Sequence, residues 1–309
     1  MKTLNQYIKE KLIINQRFDE RLIINQRFDE RLIINQRFDE RLIINKNFNK
    51  KNKINITATP KDYYELKEII EDRYKKLGPG TEQNPIDFND IDTSKITSFD
   101  ILFSGIYFRY IDVSLWDTSR VDSMYNMFYD CDELVSIGDI GEWDVSNVTV
   151  FDDMFANCTC IKNIGDLSDW DVSNAETFAG MFFNCMRLES IGDLSYWEVT
   201  DKLTNTFAMF GMCYKLKNIG DIGKWEMKNV TNMTAMFSGC RELEYIGDIS
   251  SWDLSNVTAM TSIFRTCNKL TYIGDLSKWP KPKNLTKKQY ANAFFDSSIK
   301  KRHMPKWKF

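Results

Sequence analysis

Three kinds of side chain in this sequence could do chemistry: carboxylates at a fixed interval, thiols at the same interval, and a cluster of cations around one histidine. Asp139, Asp166, Asp193, Asp221, Asp248 and Asp275 each end an Ile-Gly-Asp triplet, and an acid follows the tryptophans at Asp117, Asp144, Asp171, Glu198, Glu226 and Asp253. A ladder of oxygen ligands is what calcium would take. The alternative needs no ion: each triplet carboxylate accepts a backbone N–H in the turn leading to the next tryptophan, or faces water. Without such a partner, desolvated neighbours about 5 Å apart would repel by several kcal/mol at an effective dielectric of about 20. Apart from the residue after Trp, no second acid recurs in the turn, so the turn role is the expectation.

Six thiols, Cys131, Cys158, Cys185, Cys213, Cys240 and Cys267, share one column, and Cys160 stands apart. Their apolar surroundings predict a ladder of reduced thiols rather than a disulfide framework. Zinc would need Cys-x-x-Cys pairs or histidines, and the chain has Cys158-x-Cys160 and the single His303. A catalytic nucleophile would need a base beside it. His303 lies instead in the basic run Lys-Lys-Arg-His-Met-Pro-Lys. Carboxylates that recur in every unit behave as structural groups, whereas a site should break the pattern. The expectation is no enzyme, no cofactor and no metal.

These residues are positioned by a repeat. Trp116, Trp143, Trp170, Trp197, Trp225, Trp252, Trp279 and Trp307 recur every 27 or 28 residues, a period that marks a solenoid of stacked coils. In the copy beginning at Trp143, Phe151, Met154, Phe155 and Cys158 have the 0, 3, 4, 7 spacing of one helical face. The segment from Ile161 to Leu167, interrupted by Gly165-Asp166, reads as a short strand or tight arc. One helical turn and one strand-like arc per coil predict an α/β, leucine-rich-repeat-like solenoid.

The string Trp143-Asp-Val-Ser-Asn-Val-Thr149, followed by Met154-Phe155, Cys158, Ile161 and Ile164, resembles the BspA-like leucine-rich repeats also found in mycoplasma surface lipoproteins. The resemblance runs over roughly residues 91–309, with departures at Thr206, Met227 and Lys228. It implies a curved right-handed solenoid with strands on one surface and helices on the other, displayed for adhesion or recognition, and no catalytic residues. Related repeats occur in gut bacteriophage proteins, so a virion or structural accessory role is the alternative.

The ends read as caps. Ile91-Asp92-Thr93-Ser94 with Phe99, Leu102 and Phe103 is a degenerate first coil; Pro280, Pro282, Leu285, Phe294, Phe295 and Trp307 form a stretched last one. Upstream, Tyr63, Leu66, Ile70, Tyr74 and Leu77 make a helical stripe, with Thr59 as the expected N-cap, Pro60 at the first position and Gly78 at the exit. Residues 1–50 carry a decapeptide array, Leu-Ile-Ile-Asn-Gln-Arg-Phe-Asp-Glu-Arg at 12–21, 22–31 and 32–41. Short strands, a drifting helix and partial disorder all remain open for it, and its copy number sets reach or avidity. The organisation expected is thus an array at 1–50, a capping helix and linker at 51–82, and the solenoid at 83–309.

At 43% hydrophobic and formal charge −3, the chain reads as soluble. It shows neither a signal-peptide run, nor a lipobox cysteine, nor an apolar stretch long enough to cross a membrane. Binding is read from the columns that vary between coils: Glu142, Asp169, Tyr196, Lys224, Ser251 and Lys278 before each Trp, and Val135-Ser136, Lys162-Asn163, Glu189-Ser190, Lys217-Asn218, Glu244-Tyr245 and Thr271-Tyr272 before each Ile-Gly. On one surface they would form a polar and tyrosine strip suited to a protein or glycan, with Glu142, Asp169, Tyr196, Lys224, Tyr245, Tyr272 and Lys278 as its candidate residues. From Lys278 onward, ten Lys or Arg face the single Asp296. Nucleic acid is the less favoured partner for them, because the interleaved aromatics fall where a last coil needs core. Self-association is assigned to the N-terminal array.

Overall fold

The computed structural model describes residues 55–282 and 285–309, without the side chain of Lys278. The decapeptide array, with its three alternatives, lies outside the described residues. The unit from Asn55 to Phe309 begins with an extended segment. Ala58 pairs in parallel with Ile91, and the Asp92 N–H donates to the Ala58 carbonyl at 2.9 Å. Because that pairing holds the chain extended, the helix cannot start at Thr59. Helix α1 (Tyr63–Leu77) starts three residues later than the sequence suggests, with Asp62 as N-cap accepting from the Glu65 N–H. Gly78 terminates it at φ 73°, its N–H donating to the Tyr74 carbonyl. Leu66 and Ile70 are fully buried, and Tyr74 packs edge-on to Phe108 at 5.0 Å. Leu77 leaves the stripe and is 61% exposed.

Beyond α1, the two-residue strands β1 (Ile86–Asp87) and β2 (Ile111–Asp112) pair in parallel. From there successive coils stack through two lines of parallel bridges. One links Ser98, Ser123, Val150, Thr177, Asn205, Asn232 and Ala259; the other links Tyr110 to Ser136, Asn163 to Ser190 and Asn218 to Tyr245. The second line lies in the strand-like arc expected before each Ile-Gly.

The expected helix at Phe151–Cys158 is not a helix, and the α/β description fails within the repeats. Asp153 and Asn157 have φ of 52° and 65°, and the same two positions are left-handed in the other coils, as at Asn126 and Asp130 or Gly180 and Asn184. No α-helix passes through such residues. The N–H groups of Phe151, Asp153, Phe155 and Asn157 donate to Thr177, Ala179, Met181 and Phe183 of the next coil, while Met154, Ala156 and Cys158 donate back three residues. The arc is a run of tight turns stitched to its neighbour at alternate amides. Because a left-handed residue recurs every fourth position, each turn brings the chain back to the core at the 0, 3, 4, 7 spacing that mimics a helix.

The columns predicted to be core are core. Phe103, Phe128, Phe155, Phe182, Phe210, Phe237 and Phe264 form a stack continued by Phe294, with ring centroids 5.0–5.8 Å apart. The tryptophans from Trp116 to Trp279 are buried, and each indole N–H reaches a carbonyl one coil back, as in Trp170 to Ile140 at 3.0 Å. A buried indole thus keeps its donor satisfied. At the far end, α2 (Lys287–Ala293), with a Thr286–Gln289 capping box, replaces the regular arc. Phe294 is buried but Phe295 is 55% exposed, and Trp307 continues the indole ladder to the Trp279 carbonyl at 2.8 Å.

Candidate functional site

The Gly-Asp turn divides the two variable columns, so its chemistry comes first. In every described unit the triplet aspartate accepts from the amide two residues on: Asp139 from Gly141, Asp166 from Ser168, Asp193 from Ser195, Asp221 from Gly223, Asp248 from Ser250 and Asp275 from Ser277. Of the acids after Trp, Asp117, Asp144, Asp171, Glu226 and Asp253 do the same, as Asp144 does from Ser146 at 3.0 Å. These bonds stabilise the charged forms: the Ser250 and Ser277 donors hold Asp248 and Asp275 below the usual carboxylate range. The aspartates are therefore parts of turns, as the sequence predicted. Among the described residues, no three His, Cys, Asp or Glu side chains gather as a metal would require.

The glycine before each aspartate has a positive φ, 100° at Gly165, and packs against the previous coil's carboxylate. A Cβ on Gly165 would fall inside van der Waals contact of Asp139 Oδ1. Carboxylate and glycine alternate up the stack, which is why the triplet repeats without substitution.

The thiols are equally internal. Each column Sγ donates to a phenylalanine carbonyl one coil back, as Cys185 to Phe155 at 3.1 Å, and burial pushes these thiols up, Cys131 to about 12. Cys160 is half-buried.

The variable positions lie outside this framework. Glu142, Asp169 and Lys224 are exposed at the end of the turn before their tryptophans, with Tyr196 beside them in register at 63% exposure. Lys278 occupies the same place in the turn Leu276–Lys278, its side chain lying outside the described set. Tyr245 and Tyr272, 44% and 49% exposed, stand on the other side of the Gly-Asp turn. Tyr272 crosses it: its hydroxyl donates to Asp248 Oδ2 at 3.0 Å, which raises the phenol's pKa, and its ring meets His303 edge-on at 5.8 Å. The structure ties Tyr272 to the turn in this way.

A second exposed set was missed in the sequence. Positions one and five after the first core residue of each arc carry Tyr125 and Tyr129 in one coil and Phe207 in a later one, 40%, 36% and 44% exposed. The helical reading named the core face alone and left these positions unassigned. Their apolar character there was the available signal. Asp152 and Asp153 occupy the same arc, and burial raises the pKa of both. No helix among the described residues is long and apolar enough to cross a membrane.

Residues 76–190 and 188–307 match the family described as Mycoplasma protein of unknown function, DUF285. That match covers the region of the BspA-like leucine-rich-repeat resemblance and supports it. No curated protein matches the chain. Among solved structures, a leucine rich cell surface protein of Faecalibacterium prausnitzii is similar at 19% identity over 57% of this chain, with a TM-score of 0.27; the chain spans 42% of its length. A leucine-rich repeat protein of Eubacterium ventriosum is similar at 14% identity, covering 82% of this chain and 91% of that one, with a TM-score of 0.22.

Proposed function

Because this chain belongs to the DUF285 family, whose repeats are of the BspA-like kind, we propose that it is a non-enzymatic recognition or display protein, binding a protein or glycan surface through its variable columns. One observation carries the reading. Residues that stay fixed from coil to coil are buried or bonded within turns, while those that change, such as Glu142, Tyr196, Lys224 and Tyr245, are exposed. A regular backbone then presents an irregular set of side chains at constant spacing, the arrangement by which solenoids bind. Exposed tyrosines offer rigid, amphipathic contact area at low entropic cost. The decapeptide array serves as attachment or spacer.

The test is binding of the full chain to a glycan array and to purified surface polymers and proteins, beside a Tyr196→Ser/Tyr245→Ser/Tyr272→Ser variant. The reading expects a ligand whose affinity falls at least about tenfold in the variant, as loss of aromatic anchors brings, with an unchanged melting curve. A ligand bound equally by both proteins would remove the strip from the function.

A further inference from the structure

Charge in the coils is polarised along the stack. Residues 82–153 hold sixteen Asp or Glu against three Lys or Arg, whereas residues 278–309 hold ten Lys or Arg against one Asp. Among the described residues, Asp90 is the one member of either set held in a salt bridge. The salt bridges of the described residues are Arg73–Asp90, Lys75 with Glu71 and Asp72, and Lys269 with Glu242 and Glu244. None reaches an acid between Asp92 and Asp153 or a cation beyond Lys278. Asp122, Asp132 and Glu133 are exposed in the same coil as the exposed rings of Tyr125 and Tyr129. On the last coil, Lys300, Lys301 and Arg302 are exposed around the turn Lys301–His303.

We propose that the basic last coil of one chain docks on the acidic, tyrosine-bearing flank of the early coils of a second copy. A polyanion would pair the cations and leave the acids unpaired; a second copy pairs both sets in a single contact. Complementary fields of this size steer association and fix its register, and Lys or Arg against an exposed tyrosine face adds a cation–π term. Two different surfaces meet, so the contact is heterologous and propagates into a ring or an open filament.

Sedimentation velocity of the full chain, at about 50 mM and about 300 mM salt, tests this with two charge-reversed variants. One is Lys300→Glu/Lys301→Glu/Arg302→Glu and the other Asp122→Lys/Asp132→Lys/Glu133→Lys. Wild type should self-associate at low salt and dissociate at high salt. Each variant alone should associate at least about tenfold more weakly, and an equimolar mixture of the two should associate again in alternating order, since the wild-type flank of one meets the wild-type last coil of the other and their two reversed surfaces complement each other. Far-UV melts of each variant confirm folding. Wild type that stays monomeric at low salt, association unmoved by either reversal, or a mixture that stays monomeric while both variants are folded would overturn the proposal. So would an acidic-flank variant that associates normally while the basic-end variant loses only binding to heparin.

Discussion

Thr206 is fully buried where the other coils place Phe99, Met124, Phe151, Phe178, Met233 or Met260, and its hydroxyl has no hydrogen-bond partner. An unsatisfied buried hydroxyl costs about 1–3 kcal/mol. Valine has the same branched shape and preferred rotamer, so Thr206→Val removes the unpaired oxygen without opening a cavity, and the methyl that replaces it adds transfer free energy of up to about 0.8 kcal/mol. The backbone is unaffected: the Thr206 N–H still reaches the Asn232 carbonyl at 3.0 Å. Stabilisation of about 1–3 kcal/mol is expected, which in a unit of this size raises the melting temperature by roughly 2–4 °C per kcal/mol. Thr206→Ser keeps the oxygen and loses the methyl, so it should lower stability by about 1 kcal/mol. Urea melts followed by tryptophan fluorescence measure both. A valine variant no more stable than wild type would mean that the hydroxyl is satisfied and the reasoning wrong.

Three further outcomes are expected. Gly165→Ala combines left-handed strain with collision against Asp139 and should cost about 3 kcal/mol, whereas Gly78→Ala, with open space at φ 73°, should cost about 1; equal losses in urea melts would contradict the alternation of carboxylate and glycine. Phe182→Ala should cost about 3–5 kcal/mol, because Phe182 is sandwiched between Phe155 and Phe210, and Lys224→Ala under about 0.5. The column thiols have folded pKa values raised above their ordinary 9.0 by burial. They are acids that ionise first in the unfolded chain, so their contribution is fully present below pH 9 and is lost as pH rises from there towards about 12, where Cys131 begins to ionise when folded. Each thiol weakens stability by up to about 1.4 kcal/mol per pH unit in that window. Denaturation curves from pH 8 to 11 should show a slope that shallows by about one proton in Cys185→Ala, and an unchanged slope would place the thiols in solvent.

Much of the coil was legible because its period fixes which residues stack. The tryptophan, phenylalanine, cysteine and Ile-Gly-Asp columns follow from recurrence alone, and so does the need for each triplet aspartate to find a donor. The helix was misread because apolar spacing cannot distinguish 3.6 residues per turn from a four-residue period of tight turns. What distinguishes them is the residue type between the apolar positions. Asn126, Asp130, Asp153, Asn157, Gly180 and Asn184 are the types that tolerate positive φ, and in a helix they would be poor choices. In the later coils Ala208, Met212 and Ala235 hold the same conformation, so there the stacked neighbours impose it and the local sequence gives no sign.

The exposure of the candidate positions was legible for a related reason. A coil held at alternate amides by both neighbours cannot move one backbone position without breaking bonds above and below it, so the framework residues admit little change. Tyr245 joins that bonding through its backbone alone, bridged to Asn218, and the side chains of Glu142, Lys224 and Tyr245 are exposed, so they can vary without cost to folding. Variation alone identifies what is free to bind, but charge polarity needed the whole stack: no single coil shows it, because the acids of the early coils occupy the same turn positions that Lys215, Lys217 and Lys224 flank later. The proposed recognition by individual columns and the proposed self-docking along the stack therefore rest on different information in the same repeat. Substituting Tyr196 and Tyr245 of the strip should leave association between copies intact, while reversing the terminal charges should leave the strip's affinity intact.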